Sequence, residues 1–236
     1  MKYKFIPKSQ LERFGSNVYN TLVENFPRTF LVGGTVRDFL LAKKINDIDI
    51  ATSAKPVEIC DALKKHFINF NTGFVNMGVV VATEKHFTAA IATFRKDIKT
   101  HSRYPKISFV KTPKMDAARR DFTINSLYFS PKTGKILDFY QGLKDLKVKK
   151  IKFIGKPEKK IAEDPLRIVR ALRFALQMNF KLEATTRKAI KNNFALVETL
   201  TKSKIEKEIA KLKNSSHKKI MRQTLLNPKK YLDKYF

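Results

Sequence analysis

The chain has 236 residues, and its 49 Lys and Arg against 21 Asp and Glu give a formal net charge of +28. That length suits one ordinary domain or two small ones, and a hydrophobic content of 43% with 19 Phe excludes a disordered basic tail. The single cysteine, Cys60, excludes an internal disulfide framework and a cysteine-based zinc site, and the apolar runs are far too short for a membrane helix.

The four histidines show no metal-ligand spacing, and Met1 to Pro7 lacks the apolar stretch of a secretory signal. These features predict a soluble protein of a reducing compartment, the cytoplasm, with no membrane partner; oligomeric state is not legible. So large a positive charge calls for a polyanion, nucleic acid first. The charge is uneven. Residues 1–130 carry 21 basic and 11 acidic groups, residues 131–236 carry 28 and 10, so the second part is the stronger footprint for a phosphate backbone.

Thr29–Gly33 is a short apolar run entering two glycines, and Thr35–Leu41 then reads as a helix. Glycines at such a turn let a phosphate approach backbone amides at a helix N-terminus, with Arg37 as a fixed positive fork. A plain tight turn at Gly33 and Gly34 explains the same residues. Asp47–Thr52 alternates acidic and apolar residues, the period of a strand. Asp47 and Asp49 then share a face, with Ile48 and Ile50 on the other. Two such carboxylates suit a divalent cation, since Mg²⁺ takes one or two carboxylates plus phosphate oxygens; two solvated surface acids are the plainer reading.

Pro56–Phe67 has helical periodicity, and Gly78–Thr83, Phe87–Phe94 and Lys106–Lys111 read as strands. In the run from Asp116 to Asn125, Arg119 and Arg120 are candidate phosphate forks. Asp121 and Asn125, four apart, share a face if the segment is helical and could then hold ribose hydroxyls. Pro131–Leu146 carries turn signals at Pro131, Gly134 and Gly142, and Lys147–Lys160 reads as an ordered connection. The remainder is helical: Asp164–Gln177, Ala184–Asn193, Lys202–Leu212 and Lys218–Leu226. On the first of these, Asp164, Arg167, Arg170 and Arg173 recur every three residues beside a strongly apolar face, so the arginines need anionic partners. Asp164 before Pro165 also fits an ordinary helix cap.

Taken in order, Leu31–Asp38, Asp47–Thr52, Arg119–Asn125, Asp138–Leu146 and Glu163–Phe174 resemble the successive motifs of the class II tRNA nucleotidyltransferase and bacterial poly(A) polymerase family, within the DNA polymerase β-like nucleotidyltransferases. The resemblance spans about residues 28–212. The segment Asn71–Val80, with Thr72-Gly73 and then Gly78 leading into a Val-rich strand, looks like the CCA-adding branch.

The resemblance implies an α+β fold. Residues 1–136 would form a nucleotidyltransferase head, a mixed β-sheet flanked by helices. Residues 137–236 would form an all-helical neck and truncated body that reads the base and binds RNA. It implies addition of CMP and AMP from CTP and ATP to tRNA, held by its 3′ end and acceptor stem. The alternatives are a poly(A) polymerase, a CC- or A-adding enzyme, or a catalytically impaired RNA-binding relative. Asp47 and Asp49 would hold Mg²⁺ and serve as the catalytic pair. Gly33, Gly34 and Arg37 would bind the triphosphate, Arg120 the nucleotide, and Asp121 with Asn125 the ribose. Asp164 and Arg167 would read the base, because cytosine and adenine both offer an amino donor beside a ring-nitrogen acceptor, whereas guanine and uracil would leave the pair unsatisfied. Arg170 and Arg173 would reach phosphates or orient the reader, and Lys96–Tyr104 would be the loop that switches C to A addition.

Two departures from the family stand out. A glutamate usually precedes the Thr-Phe-Arg strand; here Ala90 takes that place. Members usually continue into a larger helical body; here the dense lysines Lys202, Lys204, Lys207, Lys211, Lys213, Lys218 and Lys219 are expected to replace shape-specific grip with charge.

Overall fold

The structure is a computed structural model that describes residues 2–98 and 106–236. It divides into two compact units. The first comprises Met1–Arg120 and Asn125–Tyr140, the second Asp121–Ile124 and Gln141–Phe236. Both are built from helices and strands, so the fold is α+β with a central mixed sheet flanked by helices. No helix among the described residues is long and apolar enough to cross a membrane.

The first unit contains α1 (Gln10–Asn25), β1 (Thr29–Val32), α2 (Gly33–Leu40), β2 (Ile48–Thr52), α3 (Pro56–Lys65), β3 (Asn69–Asn71), β4 (Val79–Glu84), β5 (Phe87–Thr93), β6 (Arg95–Ile98), β7 (Lys106–Phe109), α4 (Pro113–Arg119), β8 (Leu127–Ser130) and β9 (Lys135–Asp138). Seven strands form one sheet in the order β3-β4-β5-β2-β1-β8-β9, with β2 and β5 its parallel pair. α1, capped by the Ser9 hydroxyl, buries Phe14, Val18 and Leu22, a stripe of spacing four. Its Gly15 sits where a Cβ would lie 2.8 Å from Ile48, so α1 lies directly on the Ile48–Ile50 face of β2. On the other face, Val32, Ala51, Phe94, Val110, Ala117 and Tyr128 make a second core that covers part of the sheet. Asp49 belongs to this second face.

The second unit contains α5 (Gly142–Lys147), β10 (Lys150–Ile151), α6 (Pro157–Glu163), α7 (Leu166–Met178), β11 (Lys181–Leu182), α8 (Ala184–Asn192), α9 (Lys202–Ala210), α10 (Ser215–Leu226) and α11 (Pro228–Tyr235). The central helix is α7, with Ile168, Val169, Leu172 and Ala175 buried. The short segment 121–124 belongs to this unit. Phe122 stacks on Phe153 at 5.0 Å and meets Phe174 edge-on at 5.6 Å. The Thr123 amide donates to the Lys152 carbonyl and the Ile154 amide to the Asp121 carbonyl, both at 3.0 Å.

Four expectations change. The second part, expected to be all helical, also carries the parallel β10–β11 pair, because the chain before α8 runs extended beside the segment after α5. The Asp47–Thr52 strand begins at Ile48, so Asp47 lies just before it. Asp121 and Asn125 share no helix face: α4 ends at Arg119, a short 3-10 turn holds Thr123–Asn125, and the two residues fall in different units. The Asp164–Gln177 helix is interrupted at its start, because Asp164 is extended (φ −156°, ψ 100°) between α6 and α7. Of the anticipated loop Lys96–Tyr104, residues 96–98 lie in β6 and the rest lie outside the described residues.

Candidate active site

The site in the first unit forms where β1 turns straight into α2. Gly33 has φ +61°, and a Cβ there would lie 3.1 Å from Asp49 Oδ2 and 3.3 Å from an Arg120 Nη1. The glycine is needed twice, for its left-handed conformation and for the close approach of those two side chains. Gly33→Ala is expected to cost about 1 kcal/mol or more through the backbone alone and to displace Asp49 or Arg120. A thermal melt paired with a nucleotide titration checks both effects.

Within the first turn of α2, the Thr35 hydroxyl accepts from the Asp49 amide at 2.8 Å and donates to the Asp47 carbonyl at 3.0 Å. It fixes the backbone of both acids to the helix start. Asp47 is exposed, while Asp49 is half-buried and accepts from the Gly34 amide. Burial pushes the Asp49 carboxyl up, and neighbouring Asp47 adds to this against the opposing pull of Arg120 and Arg37. A carboxylate pair this close, one member poorly solvated, is chemistry that a divalent cation satisfies, so the donor set fits Mg²⁺. Register places Ala90 beside Asp49 on the parallel neighbour β5, with side chains on the same face. A glutamate at 90 would have completed a trio. Among the described residues, no three His, Cys, Asp or Glu come together to hold a metal.

Arg120 borders this pair. Its Nε donates to the Tyr128 hydroxyl at 3.1 Å, Nη1 to the Asn125 carbonyl at 3.3 Å, and Nη2 to Asp116 Oδ2 at 3.3 Å. Burial alone would lower its pKa, but Tyr128 and Asp116 reverse that and raise it. Asp116 is the hub. It is fully buried, accepts from Arg119 Nε at 2.8 Å and the Arg95 amide at 3.1 Å, and also takes the Tyr128 hydroxyl. Burial opposes its charge, yet Arg119 and Arg120 outweigh that and hold its carboxyl below the usual range. Asp116 and Thr35 were not singled out from the sequence. The signal for Asp116 was its spacing of three and four from the two arginines on one helix.

Arg37 is buried, and its guanidinium is held inside the protein. Nε and Nη2 fork onto Asp38 at 2.9 Å each, and Nη1 donates to Asn125 Oδ1 at 2.9 Å. A Cβ at Gly34 would lie 3.6 Å from Arg37 Nη2, an ordinary contact, so the Arg37 position does not require this glycine.

In the second unit the arginine stripe meets its carboxylates. Arg170 forks onto Asp121 Oδ2 at 2.8 and 2.5 Å, while Asp121 Oδ1 takes the Phe122 amide at 2.8 Å. Arg173 is buried against Glu208 at 2.6 Å with its guanidinium 3.8 Å over Phe174, and Glu208 also takes Lys211 at 2.5 Å. Glu208 was not read from the sequence, lying 35 positions from Arg173. Arg167 donates to the Lys160 carbonyl at 2.8 Å and to Glu163 at 2.9 Å. Asp164 Oδ1 accepts from the Leu166 amide at 3.1 Å, the bond of a helix-capping carboxylate. Asp164 and Arg167 both stay partly open to solvent.

The sequence profile of the poly A polymerase head domain matches residues 29–152. A CCA-adding enzyme of Ligilactobacillus salivarius (strain UCC118) is 42% identical over 185 residues, 78% of this chain and 45% of that protein. One of Streptococcus pyogenes serotype M2 (strain MGAS10270) is 37% identical over 190 residues, 80% of this chain and 46% of that protein. Among solved structures, the Bacillus stearothermophilus CCA-adding enzyme in complex with CTP is 28% identical with a TM-score of 0.79, covering 96% of this chain and 55% of that one. A tRNA nucleotidyltransferase complexed with a primer tRNA and an incoming ATP analog is 30% identical with a TM-score of 0.70, covering 91% and 60%. The chain thus spans about half the length of the curated relatives it matches.

Proposed function

The chain belongs to the poly A polymerase head-domain family, and from that premise we propose that it transfers CMP and AMP from CTP and ATP to the 3′ end of tRNA in the cytoplasm. The observation that carries this reading is the Asp47–Asp49 pair clamped by Thr35 beside the Gly33 approach and Arg120. The relatives' names, CCA-adding enzyme, favour CMP and AMP over AMP alone.

Asp47 and Asp49 would hold Mg²⁺, which when bound supplies an activated 3′-hydroxyl and charge neutralisation at the leaving pyrophosphate. The Gly34 amide orients Asp49, and Arg120, locked by Asp116 and Tyr128, meets the triphosphate as a preorganised cation. Arg37 braces the β1–α2 turn through Asp38 and Asn125 and adds positive potential there. Asp164 and Arg167 read the base: a carboxylate accepting the amino group and a guanidinium donating to the ring nitrogen fit cytosine and adenine alike. Arg170 and Arg173 orient α7 through Asp121 and Glu208. In this reading the first unit is the nucleotidyltransferase head, and the second reads the base and binds RNA.

Incorporation of labelled CTP and ATP into tRNA lacking CCA, ending in C, or ending in CC tests the proposal. Ordered C, C, A addition is the expected result. Long A tails would replace it with poly(A) polymerase activity, and CC-only or A-only products would narrow it. Ala90 favours a second reading, a catalytically impaired RNA-binding relative, expected to bind tRNA without incorporating either nucleotide.

The exposed lysines of α9 and the residues after it, Lys202, Lys204, Lys207 and Lys213 among them, give the acceptor stem a cationic surface. Each phosphate contact on duplex RNA is expected to contribute about −0.9 to the slope of log affinity against log salt, by analogy with duplex DNA. Replacing Lys202, Lys204 and Lys207 together by Gln is therefore expected to flatten that slope by about 2 to 3 in a filter-binding series. An unchanged slope would make this face merely solvated.

A further inference from the structure

The face of the sheet that carries Asp49 continues past it. Register sets Ala90 and Val81 in one row with Asp49, and Ala92 and Val79 in the next. These four small side chains are half-buried, a floor that the second core leaves open, while α1 lies on the opposite face. Beyond Ala92 the floor ends at a raised edge. The Phe109 ring lies against Gly78, where a Cβ would be 2.7 Å from its Cε1, and Met77 precedes that glycine. Phe74 is 52% exposed, Phe109 42% and Met77 37%, an unusual amount of bare aromatic and thioether surface for one corner.

The corner is also cationic. Arg95 pairs across the β6–β7 ladder with Phe109 and donates to the Met77 carbonyl. Its Nε is buried without a hydrogen-bond partner among the described residues and faces one carboxylate, Asp97 Oδ1, at 4.0 Å. Arg119 stands next to it, and one carboxylate, Asp116, serves the Arg95 amide and the side chains of Arg119 and Arg120. Arg95, Arg119 and Arg120 against Asp116 and Asp97 leave the corner net positive, and exposed rings with a positive edge match the way proteins hold single-stranded nucleic acid, with bases on the rings and phosphates on the cations.

We propose that Phe74, Met77 and Phe109, edged by Arg95 and Arg119, form a stacking ledge for the unpaired 3′ end of the acceptor RNA, delivering its terminal hydroxyl along the Ala92–Ala90 floor to Asp49. The ledge lies about three residues along β5 from Ala90, or about 10 Å, a span of two or three stacked nucleotides at about 3.4 Å each. The proposal rests on the nucleotidyltransferase reading and adds to it the place where the acceptor strand lies.

The test is a binding titration of the full chain, without nucleotide, against a single-stranded RNA hexamer ending in CC with 2-aminopurine next to the terminal pair. A blunt RNA hairpin is the control. Phe74→Ala with Phe109→Ala is expected to weaken hexamer binding at least about ten-fold, since one base–ring stack accounts for about five- to 150-fold, and to leave hairpin binding unchanged. Tyrosine at both positions keeps the rings and is expected to keep affinity and 2-aminopurine quenching. Leucine keeps apolar cover without a stacking face and is expected to behave like alanine. Leucine variants that bind like the parent would overturn the ledge. So would alanine variants that bind the hexamer normally and still extend tRNA, in which case the nucleotidyltransferase reading stands. A parent chain that neither binds the hexamer nor extends tRNA would remove both.

Discussion

Asp49→Asn is expected to lower nucleotide incorporation by at least about a hundred- to a thousand-fold, the loss typical of deleting one preorganised electrostatic group from a reacting site. The same change is expected to leave the melting temperature unchanged or raise it. Asp49 is held by the Gly34 amide and lies where Gly33 has no side chain, and burial works against its charge. Asparagine has the same shape without that charge, and Arg120 keeps its bonds to Asp116, Asn125 and Tyr128. Activity and stability would then move in opposite directions, the signature of a residue kept for chemistry and not for folding. Asp47→Asn is expected to show a comparable loss with little effect on melting, because Asp47 is exposed. Paired thermal melts and single-turnover rates check this. A large fall in melting temperature with either variant would make the acids structural.

Asp116→Ala, in contrast, is expected to lower stability strongly. The residue is fully buried and receives Arg119, Arg120, the Arg95 amide and the Tyr128 hydroxyl. Removing one member of such a cluster leaves buried cations uncompensated, at a cost of about 3–5 kcal/mol. The sign with pH follows from the lowered carboxyl: the stabilisation is present above the unfolded-state value and fades as pH falls through the folded value. Tyr128→Phe is the milder probe. It keeps the ring in the second core and removes only the hydroxyl between Asp116 and Arg120. It is expected to raise KM for the nucleotide more than it changes kcat, because Arg120 loses one of three anchors while the carboxylates stay in place. Equal melting of Asp116→Ala and the parent would contradict the hub.

Local patterns exposed the parts of this site that are local in sequence. The alternation at Asp47–Asp49 with Ile48 and Ile50, and the run of apolar residues into Gly33 and Gly34, are short-range signals; the turn is present, and so is the strand, which begins at Ile48 and leaves Asp47 just outside it. The α1 helix was not legible, because Gly15, three Asn and Thr21 dilute its propensity; its stability comes from laying Phe14, Val18 and Leu22 on the sheet. The segment Arg119–Asn125 misled for a different reason. Four-residue spacing suggests one helical face, but the chain leaves α4 at Arg120, contributes 121–124 to the second unit and returns at Asn125. No periodicity encodes such a crossing. The stripe of Arg167, Arg170 and Arg173 did announce a need for anions, and Glu163, Asp121 and Glu208 supply them. Only Glu163 is near in sequence; the other two pairings are long-range products of packing.

In the proposed reaction two aspartates, without a carboxylate at position 90, sustain nucleotidyl transfer. This is tested most directly by single-turnover incorporation of CTP and ATP with Mg²⁺ into tRNA lacking CCA, with the chain and its Ala90→Glu variant side by side. Ordered addition of C, C and A by the unaltered chain is expected, at a rate within about ten-fold of the variant, a difference of about 1.4 kcal/mol in the barrier. Incorporation by Ala90→Glu alone, with the unaltered chain silent, would contradict it.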